Sequence, residues 1–525
     1  MNPRPSGSPL KRTVAASEAQ EQSFTLWQPI VIILAVLIGA AWFLAAEHEI
    51  AGQPGFPLDD SWIYATFARN LATGHGYAFN PGEQIAGATG PLYVFVLGLL
   101  YLTFHDVIWP AKVLGILCLC ASSLVLYRAV HRILPGRRFA PLLAGLLLAL
   151  SPPLLWGSLA GLELPLYLLL ACLGIDCYVR EKWTWAILCW ALGVWLRPDG
   201  LFLVLLGQFV RPKISIRNSI GPLAAAGLIV GTYLVFNYVV GQRILPTSVG
   251  IKAHLGGNVG GNEWSMLKQW ADLWGVLPQG RVGLHVPLFL AGIIVGSYLC
   301  LRVWPALVAY CLLFPFVFAL FGTSGGQFGR YIVYVVPFGV LLALVGFDWA
   351  SRRLLRRNAI AGLILLGFGC LAWEGYTARK AGIGYGWNVE NINGMQRFIA
   401  ESTRKATSPG DTVAVNDVGA MGFFSDCYVV DLVGLVSPQR PFPESLRLYH
   451  PKYMAIFPDW FEKFATIDWK TNQVVFYDAD STYKYSPFLG VGLKRNTISS
   501  RNTMYIYERM GRDETGVGRV PIVAH

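Results

Sequence analysis

Apolar and polar residues alternate along this chain in long blocks rather than with the short period of a half-buried strand. Between Ile30 and Trp373, apolar runs recur, most of them near the ~17–22 residues that carry a helix across about 30 Å of hydrocarbon. Eleven spans are expected: Ile30–Ala46, Val107–Tyr127, Phe139–Trp156, Leu162–Tyr178, Trp183–Leu196, Gly200–Val210, Ser219–Val240, Leu284–Leu301, Val303–Phe321, Tyr331–Asp348 and Ala359–Trp373. The fifth and sixth are short and are separated by Arg197-Pro198-Asp199-Gly200. The apolar stretch Pro91–Thr103 would rise only ~20 Å as a helix, too little to cross. It is therefore expected to be an interfacial helix within a long loop, residues 47–106.

Past Trp373 the pattern changes. Short β-prone runs (Thr412–Val415, Tyr428–Asp431, Gln473–Tyr477, Met504–Tyr507) and an expected helix at Gly394–Thr403 suggest a small α/β domain over residues 374–525. The expected fold class is a polytopic α-helical membrane protein of about eleven spans with a C-terminal extracytoplasmic α/β domain. Residues 1–26 form the cytoplasmic tail, and residues 27–373 the transmembrane part.

Composition agrees. The 525 residues are 54% hydrophobic and only 14% charged, against about a quarter charged in soluble domains. The net charge of +11 comes from clusters between apolar runs, such as Arg128/Arg132/Arg137/Arg138 and Arg352/Arg353/Arg356/Arg357. With eleven spans these clusters all fall on the cytoplasmic side, the positive-inside pattern, and nucleic-acid binding is excluded as an expectation. Eight of the nine cysteines lie in apolar runs and only Cys427 in the tail, with no zinc-ligand spacing.

The candidate chemistry gathers in the first long loop: Asp59-Asp60-Ser61-Trp62-Ile63-Tyr64, Arg69-Asn70, Gly74-His75-Gly76, Asn80-Pro81-Gly82-Glu83 and Gly87-Ala88-Thr89-Gly90-Pro91-Leu92. Adjacent carboxylates at a membrane boundary are costly unless paired, metal-bound or functional. A solvated helix start, where Asp59 and Asp60 meet the positive dipole end, is the plain alternative.

This ordered set resembles the first extracytoplasmic loop of the GT-C superfamily of glycosyltransferases, especially the mycobacterial arabinofuranosyltransferase and family 39-like branch. Further segments resemble that family in order: Gly161-Leu162-Glu163, Arg197-Pro198-Asp199-Gly200, Leu245-Pro246-Thr247-Ser248 through Lys252, Gly329-Arg330-Tyr331, and Asp417–Phe424 with Asp431-Leu432-Val433-Gly434-Leu435. Gly90, Thr247 and Phe424 depart from the commoner family residues at their positions.

The resemblance implies an inverting transfer of a monosaccharide from a polyprenyl-phosphate donor to a glycan, lipid or protein acceptor of the envelope. It places the protein in a bacterial inner membrane, with the active site extracytoplasmic. It implies Asp59 as the catalytic base, with Asp60 as a second carboxylate for orientation or metal, and Glu163 as an acceptor or metal contact. A divalent cation (Mg or Mn) held by Asp60 and Glu163 is the cofactor it leaves open. Lys112, Lys252 and Arg330 are candidate phosphate partners, with Tyr331 beside them. Arg69, His75, Asn80, Glu83, Arg197 and Asp199 are candidate substrate contacts. For several of these a structural role competes: a helix-face ion pair for Arg69, a turn for His75, an internal ion pair for Arg197 and Asp199. A transporter or flippase of lipid-linked glycans, or a membrane scaffold, is the alternative class. The first would be expected to show paired repeats, and none is visible.

Overall fold

The computed structural model describes residues 27–210, 216–247, 270, 273, 285–319, 329–354, 359–468, 470–516 and 520–525. Lys252 and the N-terminal tail lie outside the described residues. The helical part runs α1 (Trp27–Ala51), α2 (Asp59–Ala72), α3 (Pro91–Phe104), α4 (Ile108–Ile133), α5 (Phe139–Ala149), α6 (Pro152–Leu159), α7 (Leu164–Val179), α8 (Trp183–Val194), α9 (Leu201–Phe209), α10 (Ile216–Gly241), α11 (His285–Cys300), α12 (Pro305–Ala319), α13 (Val336–Leu354) and α14 (Ala359–Asn391). The chain is a multi-pass membrane protein: α1, α4, α10 and α13 are each long and apolar enough to cross, and shorter apolar helices pack among them.

Each expected span falls on a helix, with two informative departures. The third is broken: α5 and α6 meet at 52°. Pro152 and Pro153 supply the reason, since they lack amide donors and push Ser151 out of helical geometry (ψ 116°). The last span does not stop at Trp373 but continues as one helix to Asn391, then through a π-helical turn, Ile392–Arg397, into α15 (Phe398–Ala406). The C-terminal α/β domain is thus joined to the membrane part by continuous helix rather than by a loop. Helices approach closely where glycine removes the side chain: a Cβ at Gly296 in α11 would lie 1.9 Å from the Leu342 carbonyl of α13.

The tail forms β1 (Thr412–Val415), α16 (Gly419–Phe424), β2 (Tyr428–Asp431), α17 (Phe442–Tyr449), β3 (Tyr453–Ile456), β4 (Thr466–Asp468), β5 (Gln473–Tyr477), β6 (Tyr483–Gly492), β7 (Thr503–Gly511) and β8 (Ile522–Ala524). The strand order is β2-β1-β3-β7-β6-β5-β4, with β8 added on β6. β1 pairs parallel with β2 and β3, and the crossovers carry α16 and α17; β3, β7, β6, β5 and β4 continue antiparallel. A separate core of Ala414, Val430, Leu446, Met454, Phe476 and Tyr507 fills one face of this sheet. The loop leaving β1 opens at the carboxyl end of parallel strands, where open α/β sheets present their functional loops. Here that loop faces α2.

Candidate active site

α2 positions the acidic pair. Leu58 is extended (φ −143°, ψ 144°) and Asp59 and Asp60 open the first turn, where carboxylates face the unpaired amides of the helix start. At the other end the Asn70 side chain donates to the carbonyls of Ala78 and Phe79, folding the following loop back against the helix. Gly74 and Gly76 take φ of 85° and 78° in that return, a region open to glycine. Trp62 is fully buried and packs on Phe56, Phe423 and Phe424 with centroids 4.9, 5.1 and 4.6 Å away, tying α2 to α16.

The two adjacent carboxylates have different surroundings. Asp59 turns to the C-terminal α/β domain: its Oδ2 accepts from the Gly419 amide at 2.7 Å and its Oδ1 from the Ala420 amide at 2.8 Å. It does not line the cavity described below. Removal from water, with Asp417 and then Asp60 nearby, pushes its carboxyl up to about 8 despite the two amides. Asp417 is itself pushed up to about 6, chiefly by burial, against hydrogen bonds from Gln396 and Asn416. Asp60 turns the other way. Its Oδ2 accepts from Arg330 Nη2 at 2.8 Å, and that nitrogen also lies 2.7 Å from the Tyr331 hydroxyl.

Asp60 and Arg330 open onto a cavity of about 310 Å³ whose wall includes Tyr64, Glu163, Arg197, Asp199, Tyr331 and Tyr334. The Arg197-Pro198 junction builds part of it. Arg197 is extended (φ −151°, ψ 123°) as the residue before proline tends to be, α8 ends before it, and the chain turns through Pro198–Gly200 into α9. Its guanidinium donates to Glu163 at 2.9 Å and to Asp199 at 3.0 and 3.2 Å, and lies 5.0 Å from the Tyr334 ring. The Tyr64 hydroxyl is paired with Glu163. The Tyr334 hydroxyl is buried and makes no hydrogen bond, as is the case for Arg330 Nε. These are donors at the cavity with no protein acceptor.

The remaining candidates lie elsewhere. Lys112 is buried against Glu47 at 2.5 and 2.6 Å, a closed ion pair between α4 and α1. Arg69 donates to the carbonyls of Phe423 and Gly422 at 2.6 and 2.9 Å. Asn80 exchanges two hydrogen bonds with the backbone of Val429, and Glu83 accepts from the Tyr428 hydroxyl at 2.7 Å. The His75 ring pairs with Thr73 at 2.9 Å in the turn. Arg69, Asn80 and Glu83 thus dock the long loop onto the C-terminal α/β domain, and none of these five residues lines the cavity. The motif Asp431–Leu435 also has a structural explanation. Asp431 accepts from the amides of Val433, Gly434 and Val436, folding a turn that sets Leu435 in the cavity wall, while Thr247 donates to the Leu435 carbonyl at 2.7 Å.

Sequence reasoning missed Tyr64, Tyr334 and Leu435. Tyr64 stands four residues after Asp60 on α2 and so shares its face, a signal present in the sequence. Tyr334 and Leu435 belong to segments already singled out, but nothing in their spacing says which way they point. As for a divalent ion, among the described residues no three His, Cys, Asp or Glu side chains come together. Asp60 and Glu163 are each already held by a guanidinium. Among the described residues there is thus no preformed group of three ligands for a divalent cation, and no step is routed through one.

The arrangement of α-helical membrane part, α/β tail and charged cavity is that of a GT-C-like fold, as the motif resemblance led us to expect. Among solved structures, ArnT from Cupriavidus metallidurans bound to undecaprenyl phosphate superposes with a TM-score of 0.56 at 13% identity, covering 91% of this chain and 97% of ArnT. The apo form of the same ArnT gives 0.55 at 14% identity with the same coverage. Among curated proteins, the terminal β-(1→2)-arabinofuranosyltransferase of Mycobacterium tuberculosis is 25% identical over 73% of this chain. The match takes in 66% of that relative, so the chain spans just under two thirds of its length. Residues 382–507 match a family described as a domain of unknown function, DUF8728.

Proposed function

We propose that this protein is an inverting GT-C glycosyltransferase of a bacterial inner membrane, moving a monosaccharide from a polyprenyl-phosphate donor to an envelope glycan, lipid or protein on the extracytoplasmic face. The observation that carries this reading is the Asp60–Arg330 pair at the wall of the cavity, at 2.8 Å. The neighbouring Glu163–Arg197–Asp199 group, with Tyr334 above it, completes a polar floor. Names of relatives support the class: one is an arabinofuranosyltransferase, and ArnT was solved with a polyprenyl phosphate.

The chemistry follows from these residues. The acceptor hydroxyl attacks the anomeric carbon as the bond from that carbon to the phosphate oxygen breaks. Asp60 takes the hydroxyl proton as general base. Arg330, with its unpaired Nε, draws to the phosphate and balances the charge that develops on the leaving oxygen. A donor phosphate that engages Arg330 loosens its grip on Asp60, so donor binding readies the base. One displacement inverts the anomeric centre. Glu163 and Tyr64 are placed to orient sugar hydroxyls, and Arg197 holds Glu163 and Asp199 in position. This reading moves the base from Asp59, the first acidic residue of the motif, to Asp60. Asp59 becomes a positioning residue.

The test is transfer in lipid-reconstituted protein supplied with radiolabelled polyprenyl-phosphate monosaccharides and envelope acceptors, with the anomeric configuration of the product read by NMR. Transfer by wild type, lost in Asp60→Asn, is the expected result. An Asp60→Asn protein as active as wild type overturns the assignment of the base.

A further inference from the structure

A second charged cluster lies at the far end of α7 from the cavity. Asp176 follows Glu163 along this helix by about 20 Å, from the helical rise. It is therefore near the opposite membrane surface from the cavity, on the side where the basic loops gather. Its carboxylate is buried and is shared by three guanidiniums: Arg128 at 2.8 Å, Arg180 at 3.3 Å and Arg132 at 3.5 Å. Two of the arginines come from the last turns of α4 and the third caps α7. Helix C-termini carry partial negative charge, which favours cations there, though by much less than a full charge per residue.

The donors exceed what Asp176 can take. Each guanidinium has five N–H groups, while one carboxylate offers about four lone-pair sites. The Nε of Arg128 is enclosed by protein and makes no hydrogen bond, while the Nε of Arg132 faces Asp176 Oδ1 at 3.5 Å. The three side chains nonetheless keep 41%, 37% and 31% of their surface open. Three guanidiniums sharing one carboxylate leave N–H groups over on the open side of the cluster, and these call for an acceptor from outside the chain. Trp183, packed edge-on to Tyr178 at 4.7 Å, stands at the same helix end, as aromatic residues do at the headgroup level.

We infer that Arg128, Arg132 and Arg180 form a site for the phosphate headgroup of an anionic phospholipid in the leaflet opposite the cavity. Asp176 holds the three guanidiniums in one place, and the lipid phosphate accepts from the N–H groups it leaves over. The site is independent of the transfer chemistry.

The experiment uses the full chain purified in detergent and measures lipid binding by native mass spectrometry against equal amounts of phosphatidylglycerol and phosphatidylcholine. Wild type is expected to hold phosphatidylglycerol in preference. The double variant Arg128→Gln/Arg132→Gln is expected to bind it about thirtyfold more weakly, from the usual contribution of one basic side chain at a membrane surface. Arg404→Gln, which removes a basic side chain from the C-terminal α/β domain, is expected to bind as wild type does. Should the double variant fail to fold, Arg180→Gln on the open rim replaces it, with an expected weakening of about fivefold. Undiminished preference for phosphatidylglycerol in either variant overturns the site. Inorganic phosphate that displaces the lipid or stabilises the protein as well as phosphatidylglycerol does overturns the lipid assignment.

Discussion

Asp59 and Arg69 lie at opposite ends of α2 and grip opposite ends of α16, Asp59 at the amides of Gly419 and Ala420 and Arg69 at the carbonyls of Gly422 and Phe423. The two helices therefore run side by side in the same direction. Carboxyl oxygens accept from the amino end of α16 and a guanidinium donates to its carboxyl end, so the unpaired backbone groups at both ends of the helix are satisfied. The clamp joins the first long loop to the C-terminal α/β domain, and its first member is the immediate neighbour of the proposed base.

Separating clamp from base is the first prediction. Asp59→Ala leaves two amides without acceptors and should lower stability by about 1–3 kcal/mol, the range for leaving a buried donor unsatisfied. Asp60→Asn should leave the melting temperature near wild type and cut the turnover rate by about 10²–10⁴. Thermal melts and transfer rates on both variants decide the matter. A normal melt with abolished turnover in Asp59→Ala would return the role of base to Asp59.

Gly419 is where α16 touches α2 most closely. A Cβ there would lie 1.9 Å from the Asp59 carbonyl oxygen, a backbone atom that cannot rotate away. Gly419→Ala should cost about 1–3 kcal/mol as an overpacking substitution, and expose the 374–525 region to limited proteolysis. A variant with wild-type melting and cleavage would show that the helices are not held in this register.

How much of this could be read from the sequence depends on what each residue answers to. The apolar helices were legible because hydrocarbon thickness imposes a length on apolar runs, and β1, β2 and β5 because short β-branched runs stand between turn residues. The continuation of α14 to Asn391 was not legible, because its polar residues signal the end of the membrane and not the end of a helix. Within the site, the motif residues are close in sequence but divide in space. Asp60, Glu163, Arg197, Asp199, Arg330 and Tyr331 meet at the cavity, whereas Asp59, Arg69, Asn80 and Glu83 meet the C-terminal α/β domain. Adjacent residues on a helix point about 100° apart, so spacing alone could not say which member of the acidic pair faces which partner. That division became visible only once α16 was in place.

The Arg197 group should behave as a buried network. Arg197→Met removes the cation shared by Glu163 and Asp199 and leaves two carboxylates facing each other's surroundings. Breaking such a buried pair from one side costs about 3–5 kcal/mol. Thermal melts should show this loss, and Arg197→Lys should recover only part of it because it cannot fork to both partners. A melt unchanged in Arg197→Met would mean the network bears no stability.

Because Asp60 and Glu163 are engaged by arginines and no third metal-type ligand joins them among the described residues, transfer should not depend on a divalent ion. Rates measured after exhaustive chelation with EDTA are expected to stay within about twofold of untreated protein, well inside the effect of losing a catalytic contact. Activity that vanishes on chelation and returns with Mg or Mn would overturn the exclusion of a metal step.

The final prediction concerns pH. Asp59 titrates near 8 and Asp417 near 6 in the folded protein, against an ordinary value of 3.8 for both. Between 3.8 and these values the folded chain binds more protons than the unfolded chain, so stability falls as pH rises. The contribution of Asp417 is spent by about pH 6, and that of Asp59 continues to be lost up to about pH 8. Wild-type melting temperature should therefore decline from pH 5 to pH 8.5. In Asp59→Asn, which cannot ionise, the decline should be shallower, with the difference accruing steadily between pH 5 and pH 8. The comparison isolates Asp59 because all other titrating groups are common to both proteins. Parallel curves for the two proteins across that interval would show that Asp59 is already ionised at neutral pH, and that its two amide hydrogen bonds outweigh its removal from water.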